Sequence, residues 1–272
     1  MLNHRRLAAA LAGAGAIAAL GFGATWAAGG GSSPTDHARG ALDGKRPKNV
    51  IFLLGDGMGI AEVTTARYDE YGAAGRMNLD RFPFTGFDNT WSLTPGEGTP
   101  YKPDHTPDSA ATGTEWATGK KTIDERVSQG PSSAVDVPGD NDAYGTVLEI
   151  AQEQGKKTGN VSTAEITDAT PAVLAAHISD RGCQGPEDTA KTCPTETKAA
   201  GGLGSIAEQE VDHGIDVILG GGAARFAQKT DAGPTVLDDA ADAGYEIVTD
   251  AAGLAAFSDD DTPLLGLSPT GT

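Results

Sequence analysis

Apolar and polar positions alternate along the chain in blocks that predict strands followed by helices. The most apolar block of the main body, residues 49–54, reads NVIFLL and is too short to span a membrane. Its β-branched and aromatic side chains favour a fully buried strand of a parallel sheet. The glycine-rich sequence GDGMG follows at once, so we expect this strand to end at Leu54.

The same pattern continues through the rest of the chain. It predicts strands at residues 86–92, 157–162, 217–219 and 245–249, and helices at 59–72, from Ser109 onward, at 143–155 and before each of the last two strands. Residues 124–142 form a predicted polar loop. Strands and helices that alternate in this way indicate an α/β fold, a mainly parallel sheet with helices on both faces.

The amino-terminal segment, residues 1–28, has the pattern of a secretory signal peptide, with Arg5 and Arg6 before an apolar stretch and small residues near Ala28. We expect it to be removed. The two arginines leave both the general and the twin-arginine export routes open. Residues 29–47 are a predicted linker and residues 48–272 a single domain. No later segment has the ~20 apolar residues of a membrane span, so we expect a secreted, periplasmic or cell-wall-associated protein.

The chain is strongly acidic, with a formal net charge of −18 over 272 residues. A protein that binds nucleic acid needs a clustered basic face, so this composition argues against such a partner. An anionic small molecule would have to be attracted by local positive charge, from metal ions or from an arginine.

Asp56 is the first candidate functional residue. It lies between Gly55 and Gly57 at the carboxyl end of the first predicted strand, where open α/β sheets build their ligand sites. The two glycines allow a metal ion or a ligand to approach the backbone closely. The alternative is a turn aspartate that caps the next helix.

Ser109 is the second candidate. The sequence TPDSAATGTEWATG places it at the amino terminus of a small-residue helix, where its simplest role is that of an N-cap. The same position is an anion site, because free backbone N–H groups and the helix dipole favour negative charge. A serine alkoxide or a phosphoryl oxygen would be stabilised there.

Asp168, Thr170 and Arg181 form the third group. Asp168 and Thr170 follow a short strand and offer two hard oxygen donors, which suit an octahedral magnesium ion. Either residue could instead cap the helix that Pro171 is expected to open, with Thr170 as its N-cap. Arg181 is expected at the end of the same helix, and its guanidinium matches a phosphate in bidentate fashion.

The two cysteines, Cys183 and Cys193, lie in one polar loop, and export favours a disulfide between them. A zinc pair is the alternative, although their spacing is long and no histidine is near. The five histidines show no ligand spacing, and we expect each to be a surface or packing residue: His4, His37, His105, His177 and His213.

Several of these segments together resemble the amino-terminal half of the bacterial alkaline phosphatase family. The shared motifs are GDGMG, PDSAATGTEWATG, VSTAEITDATPAVLAAHISDRGCQGP and DVILGGG, in the family's order, and the likeness covers roughly residues 48 to 267. The resemblance implies that the chain is an alkaline-phosphatase-like phosphomonoester hydrolase with zinc and magnesium as cofactors. It also implies a homodimer.

The resemblance assigns a role to each candidate residue. Asp56 would bridge one zinc ion and the magnesium ion, and Asp168 and Thr170 would complete part of the magnesium site. Ser109 would be the nucleophile, bound to zinc through its oxygen and transiently phosphorylated. Asp108 would help to position Arg181, which would bind the phosphate. A metal-held alkoxide also fits the chemistry, because a serine hydroxyl is a poor nucleophile at neutral pH.

Two other functions stay open. Within the wider superfamily, a sulfatase or phosphodiesterase is an alternative, but a sulfatase would carry Cys-x-Pro-x-Arg where this chain has Ser109. A catalytically silent secreted protein that binds phosphate or a divalent ion is the alternative from another class. In the resembling family the remaining metal ligands come from the carboxyl-terminal half. We therefore expect this chain to be truncated, with the carboxyl-terminal part missing, and of doubtful activity alone.

Overall fold

The computed structural model describes residues 48–82, 84–95, 101–131, 143–258 and 261–268. The predicted signal peptide, the predicted linker and residues 132–142 of the predicted polar loop lie outside these ranges. The described helices are α1 (Ile60–Tyr71), α2 (Ser109–Thr118), α3 (Val147–Glu153), α4 (Ala169–Ala172), α5 (Pro186–Thr192), α6 (Ile206–Asp212), α7 (Ala223–Phe226), α8 (Val236–Asp242) and α9 (Ala251–Ala256).

The described strands form two sheets. They are β1 (Ser92–Leu93), β2 (Pro103–Asp104), β3 (Gly159–Glu165), β4 (Val217–Gly221), β5 (Glu246–Val248) and β6 (Leu264–Leu267). β1 and β2 form a short antiparallel ladder, and the other four strands form a parallel sheet in the order β3-β4-β6-β5. Short 3-10 turns occur at Leu79–Arg81, Pro194–Glu196 and Lys198–Ala200.

The chain divides into two units. Among the described residues, the first contains 48–52 and those within 60–86, and the second contains 53–59 and those from 87 onward. In the described part of the first unit, Arg67 of α1 pairs with Asp80, with Nη2 and Oδ1 2.6 Å apart. The second unit holds the parallel sheet, and all the candidate functional residues lie in it.

One face of the parallel sheet is covered by helices. Ile218 of β4 and Leu265 of β6 are paired in register on this face, and both are fully buried. Helices α3, α6, α7 and α8 contribute to the same buried apolar cluster. On the other face, Gly253 of α9 lies against Val248. The sequence-based prediction of an α/β fold with a parallel sheet and helices on both faces is therefore confirmed.

Three helices of the second unit begin with a capping box. In this motif the N-cap hydroxyl accepts a hydrogen bond from the backbone N–H of residue N3, and the N3 carboxylate accepts one from the backbone N–H of the N-cap residue. The pairs are Thr146 with Glu149, Ser205 with Glu208, and Thr235 with Asp238. These caps explain why α3, α6 and α8 start where they do. None of the helices in the described ranges is both long and apolar enough to cross a membrane.

The predicted strand at residues 49–54 is wrong. These residues lie in no helix or strand, and Val50, Ile51 and Leu53 are each more than 80 % exposed. An apolar run becomes a buried parallel strand only where neighbouring strands pair with it and cover it. Residues 49–52 belong to the first unit, whose described part contains no strand. The hydrophobic pattern alone could not reveal that lack of a partner.

The other predicted elements are largely present. The helix predicted at 59–72 is α1, and the strands predicted at 157–162, 217–219 and 245–249 are β3, β4 and β5. The predicted strand at 86–92 is reduced to β1. Strands β2 and β6 and helices α5, α7 and α9 are not predicted by the sequence, since each has seven residues or fewer and no clear apolar period.

Candidate active site

Asp108, and not Ser109, is the N-cap of α2. Its Oδ1 accepts a hydrogen bond from the backbone N–H of Ala111 at 2.9 Å, and its Oδ2 accepts one from the N–H of Glu125 at 3.1 Å. Ser109 is therefore the first residue of the helix, and its hydroxyl has no capping role. The simplest alternative for this serine, an N-cap, is wrong, which leaves its oxygen available for chemistry.

Arg181 lies beside this helix terminus. Its Nη1 donates a hydrogen bond to Ser109 Oγ at 2.8 Å and another to Asp108 Oδ2 at 3.3 Å. The backbone N–H of Arg181 donates to the carbonyl oxygen of Glu125 at 2.8 Å. Side chain and backbone are thus both held in place, and the structure brings together Ser109, Asp108 and Arg181.

The position of Arg181 in the fold differs from the prediction. It does not end the helix of Thr170, because α4 stops at Ala172 and Arg181 lies in a turn. Between α4 and Arg181 the backbone is not helical. There Ile178 exchanges two backbone hydrogen bonds with Val127, with N–O distances of 3.0 and 3.1 Å. Arg181 therefore follows this bridged segment and does not lie at the end of a helix.

The loop that follows Arg181 is closed by a disulfide between Cys183 and Cys193, ten residues apart. Both cysteines are fully buried, in the same apolar cluster as Ala110 and Ala169. The predicted disulfide is confirmed, and the zinc-pair alternative is wrong. The cross-link restrains the segment that begins two residues after Arg181.

Asp56 and Thr170 meet across a long stretch of sequence. The hydroxyl of Thr170 donates a hydrogen bond to Asp56 Oδ2 at 2.8 Å. Asp168 is the N-cap of α4 by backbone position, but its side chain makes no cap hydrogen bond. Its Oδ1 instead accepts from Nε2 of Gln184 at 2.9 Å. The expectation that Thr170 is an N-cap is wrong, and neither side chain is used to cap the helix.

Gln184 is a site residue that sequence reasoning missed. It orients the carboxylate of Asp168 from 16 positions away, and its Oε1 accepts from the hydroxyl of Thr167 at 3.3 Å. Its place directly after Cys183, in the motif that carries the resemblance, was the only available signal.

The two groups of candidate residues stand on helices that pack against each other. Gly113 of α2 faces Val173, next to α4, so closely that a Cβ at Gly113 would lie 2.9 Å from Val173 Cγ1. Ala110, next to Ser109, and Ala169, next to Thr170, belong to one buried cluster. A residue larger than glycine at position 113 would push the two helices apart.

The surroundings of Ser109 are rich in negative charge. The pKa of the Glu125 carboxyl is raised by burial and by the negative charges of Asp108 and Asp180, against the opposing effect of Arg181. Glu125 also has a φ of 70°, a left-handed conformation that is uncommon outside glycine. One guanidinium among several carboxylates attracts a dianion only weakly, so bound cations would be needed to hold phosphate.

The Asp56 carboxylate and the Thr170 hydroxyl, which are in contact, are both oxygen donors, and the Asp168 carboxylate two positions before Thr170 is a third. Hard oxygen donors of this kind fit magnesium. In the described part of the chain, the one group of three or more potential His, Cys, Asp or Glu ligands is Glu149, His177 and His213, and it does not include Asp56. His105 is exposed, and His4 and His37 lie outside the described residues.

The sequence model of the alkaline phosphatase family matches residues 47–271. Streptomycin-6-phosphate phosphatase of Streptomyces griseus is 45% identical over 224 residues, which is 81% of this chain and 47% of that protein. Alkaline phosphatase of Escherichia coli K12 is 42% identical over 244 residues, 87% of this chain and 50% of that protein. The chain spans about half the length of the curated relatives it matches.

Solved structures of alkaline phosphatases share the fold of this chain at lower sequence identity. A cold-active alkaline phosphatase from a psychrophilic Shewanella species is 26% identical with a TM-score of 0.53, over 80% of this chain and 45% of that one. The alkaline phosphatase from the Antarctic bacterium TAB5 shares the fold at 24% identity, with a TM-score of 0.55 over 82% of this chain and 54% of that one.

Proposed function

Because the chain belongs to the alkaline phosphatase family, we propose that it serves as a phosphomonoester hydrolase in which Ser109 is transiently phosphorylated. The observation that carries this proposal is the hydrogen bond of 2.8 Å from Arg181 Nη1 to Ser109 Oγ at the start of α2. A candidate nucleophile and a candidate phosphate-binding cation therefore lie within contact distance of each other.

Arg181 would bind the phosphoryl group. Its planar guanidinium can donate two parallel hydrogen bonds to phosphate oxygens, with a geometry that lysine cannot reproduce. Asp108 accepts from Nη1 at 3.3 Å and so fixes the side chain on the side of Ser109. Asp108 is therefore a positioning residue in this proposal, and it also caps the helix that carries the nucleophile.

The amino terminus of α2 would stabilise the charge that develops on Ser109. The helix has ten residues, and its first backbone N–H groups and its dipole favour negative charge at that end. A serine alkoxide and the non-bridging oxygens of a phosphoryl group both carry such charge in the transition state.

Zinc and magnesium are the proposed cofactors. Asp56, Asp168 and Thr170 would hold magnesium through oxygen ligands, with Gln184 orienting Asp168. Asp56 and the oxygen of Ser109 would contribute to zinc, and the family resemblance implies that its further ligands come from the family's carboxyl-terminal half. When bound, a divalent cation lowers the pKa of an attached hydroxyl and offsets the surrounding negative charge.

The proposed substrate class is small-molecule phosphomonoesters, with no nucleic acid as partner. The Streptomyces griseus relative is named for streptomycin 6-phosphate, and the E. coli relative is named as an alkaline phosphatase. We also propose an exported location, which the buried disulfide supports since such bonds persist in oxidising compartments. A homodimer is the assembly that the family resemblance implies.

The oxygen-only donor set favours one alternative, a catalytically silent protein that binds phosphate or a divalent ion. Hydrolysis of p-nitrophenyl phosphate separates the two. We would measure this hydrolysis for two proteins, the chain itself and a chimera. In the chimera, residues 48–271 replace the matching segment of the E. coli enzyme, which is 42% identical. With zinc and magnesium present, we expect turnover near background for the chain alone and clear turnover for the chimera.

The matched control is Ser109→Ala in the chimera, which should lower kcat by more than about a thousandfold, as loss of a nucleophile does. Equal turnover by the parent chimera and its Ser109→Ala variant would contradict the proposal. A chimera that unfolds cooperatively and binds both metals, yet has no activity, would favour the silent protein.

A further inference from the structure

Three potential metal ligands converge in the second unit away from the oxygen donors of Asp56 and Thr170. Glu149 comes from α3, His177 from the segment after α4, and His213 from the carboxyl end of α6. Glu149 Oε1 lies 2.9 Å from His177 Nε2 and 3.7 Å from His213 Nε2. One ligand atom from each residue lies within 4.8 Å of the other two.

We propose that Glu149, His177 and His213 bind one zinc ion. Two imidazoles and a carboxylate are a ligand set that zinc accepts, at bond lengths of about 2.0–2.2 Å. Ligand atoms around a tetrahedral ion with such bonds lie about 3.3 Å apart. The observed separations of 2.9 and 3.7 Å fall on either side of that value, so small side-chain shifts would complete the site.

The ligands are held in orientations that leave the coordinating atoms available. His177 is 7% exposed, and its Nδ1 lies 3.0 Å from the carbonyl oxygen of Ser128, to which it donates. That bond fixes the tautomer and turns Nε2 toward Glu149, as in many metal sites where the second ring nitrogen is anchored. Glu149 Oε2 accepts from the N–H of Thr146 at 2.7 Å, which leaves Oε1 for the ion.

A cavity supplies an entry path and room for a fourth ligand. It has a volume of about 210 Å³ and is lined by Leu203, Gln209, Asp212 and His213. A water molecule in this cavity would take the coordination position that the three side chains do not fill. Asp212 is already paired with Lys198, with Oδ2 and Nζ 2.8 Å apart, so it is not needed as a ligand.

His213 distinguishes a zinc site from a simple ion pair. The contact of His177 with Glu149 could be a hydrogen bond with a proton in place of the ion. That bond does not explain His213, whose Nε2 lies beyond hydrogen-bond distance of Oε1 but near enough to share a metal ion. Bound zinc would connect α3, the segment after α4 and α6, and so stabilise the unit that carries Ser109.

The test uses the full chain with Asp56→Asn, so that zinc at the proposed catalytic site does not contribute. Zinc bound after equilibrium dialysis is measured by mass spectrometry. We expect about one zinc per chain, with affinity reduced more than about tenfold by His213→Gln or by Glu149→Gln. Glu149→Gln is informative because glutamine also completes a capping box, so α3 keeps its N-terminus.

His105→Gln is the matched control, since this exposed histidine lies outside the cluster, and it should leave zinc binding unchanged. If a cluster variant fails to fold, X-ray absorption of the zinc-loaded Asp56→Asn chain decides instead, with two imidazole ligands expected. Absence of bound zinc, binding that His213→Gln and Glu149→Gln leave unchanged, or a spectrum without imidazole would overturn the proposal. None of these readouts depends on phosphatase activity.

Discussion

Arg181 donates a hydrogen bond from Nη1 to Ser109 Oγ at 2.8 Å, across 72 positions of sequence. The side chain of Arg181 is 29% exposed and that of its ion-pair partner Asp108 is 19% exposed, so the pair lies at the surface of the fold and can reach a ligand. Contacts within the protein thus place the cation beside the hydroxyl.

Arg181→Ala should weaken the binding of inorganic phosphate to the metal-loaded chimera by about tenfold to a hundredfold, the range typical of a lost charged hydrogen bond. Arg181→Lys should recover only part of this loss, because an ammonium group keeps the charge but not the planar pair of donors. Isothermal titration calorimetry with phosphate measures both. Equal affinities for the parent and Arg181→Ala would show that Arg181 does not bind phosphate.

Replacement of Asp108 separates its capping role from its charge. Asparagine is as good an N-cap as aspartate, whereas alanine loses the bond to the N–H of Ala111. Asp108→Ala should therefore be less stable than Asp108→Asn by about 1 kcal/mol in urea unfolding of the chain. Identical unfolding midpoints for the two variants would mean that the cap contributes nothing to the stability of α2.

The hydroxyl of Thr170 is the feature to test at the proposed magnesium site. Thr170→Val keeps the shape of the side chain but removes the oxygen that donates to Asp56 at 2.8 Å. We expect magnesium affinity to fall about tenfold or more in Thr170→Val and to stay near the parent value in Thr170→Ser. Calorimetric titration with magnesium measures these affinities. Unchanged magnesium affinity in Thr170→Val would show that Thr170 is not a ligand.

Glu210 makes stability depend on pH. Its side chain in α6 is fully buried, and no hydrogen-bond partner of its Oε2 is found in the described part of the chain. Burial raises the pKa of this carboxyl well above its usual range. The folded protein therefore keeps the proton where the unfolded chain, with a pKa of about 4.3, has released it. Protonated Glu210 therefore contributes its full stabilisation below the unfolded pKa of about 4.3, and this contribution is lost as pH rises through the raised pKa of the folded protein.

Glu210→Gln has no proton to lose, so it isolates this effect. The urea midpoint of Glu210→Gln should rise relative to that of the parent as pH increases from about 4 to about 8, because only the parent loses stability from this group. A difference that stays constant over that range would show that Glu210 titrates alike in the folded and unfolded states. Measuring both proteins in the same buffers cancels the contributions of all other groups.

Much of the fold could be predicted, because strands β3, β4 and β5 combine apolar runs with turns of glycine and polar residues. Residues 49–54 have the same pattern and form no strand, since a strand also needs neighbours to pair with, and the sequence pattern does not show these. β6 escaped prediction because LLGL is four residues long with a glycine inside.

At the candidate site, residue type and motif indicate Asp56, Ser109 and Arg181, and the last two are in contact in the structure. Contacts between distant residues were not foreseen. Gln184 reaches Asp168 over 16 positions and His177 reaches Glu149 over 28, and neither spacing matches a local motif. The sequence favours Ser109 as the N-cap of α2, one residue too late, because aspartate and serine are both good N-cap residues. The structure shows that Asp108 accepts from the N–H of Ala111.

Trapping of a phosphate ester on Ser109 tests most directly whether this residue is the nucleophile. The metal-loaded chimera would be incubated with radiolabelled inorganic phosphate at acid pH, denatured and digested, and its peptides identified by mass spectrometry. We predict label on Ser109 alone, and none in Ser109→Ala. Label on another residue, or an active chimera that never carries phosphate on Ser109, would contradict the account.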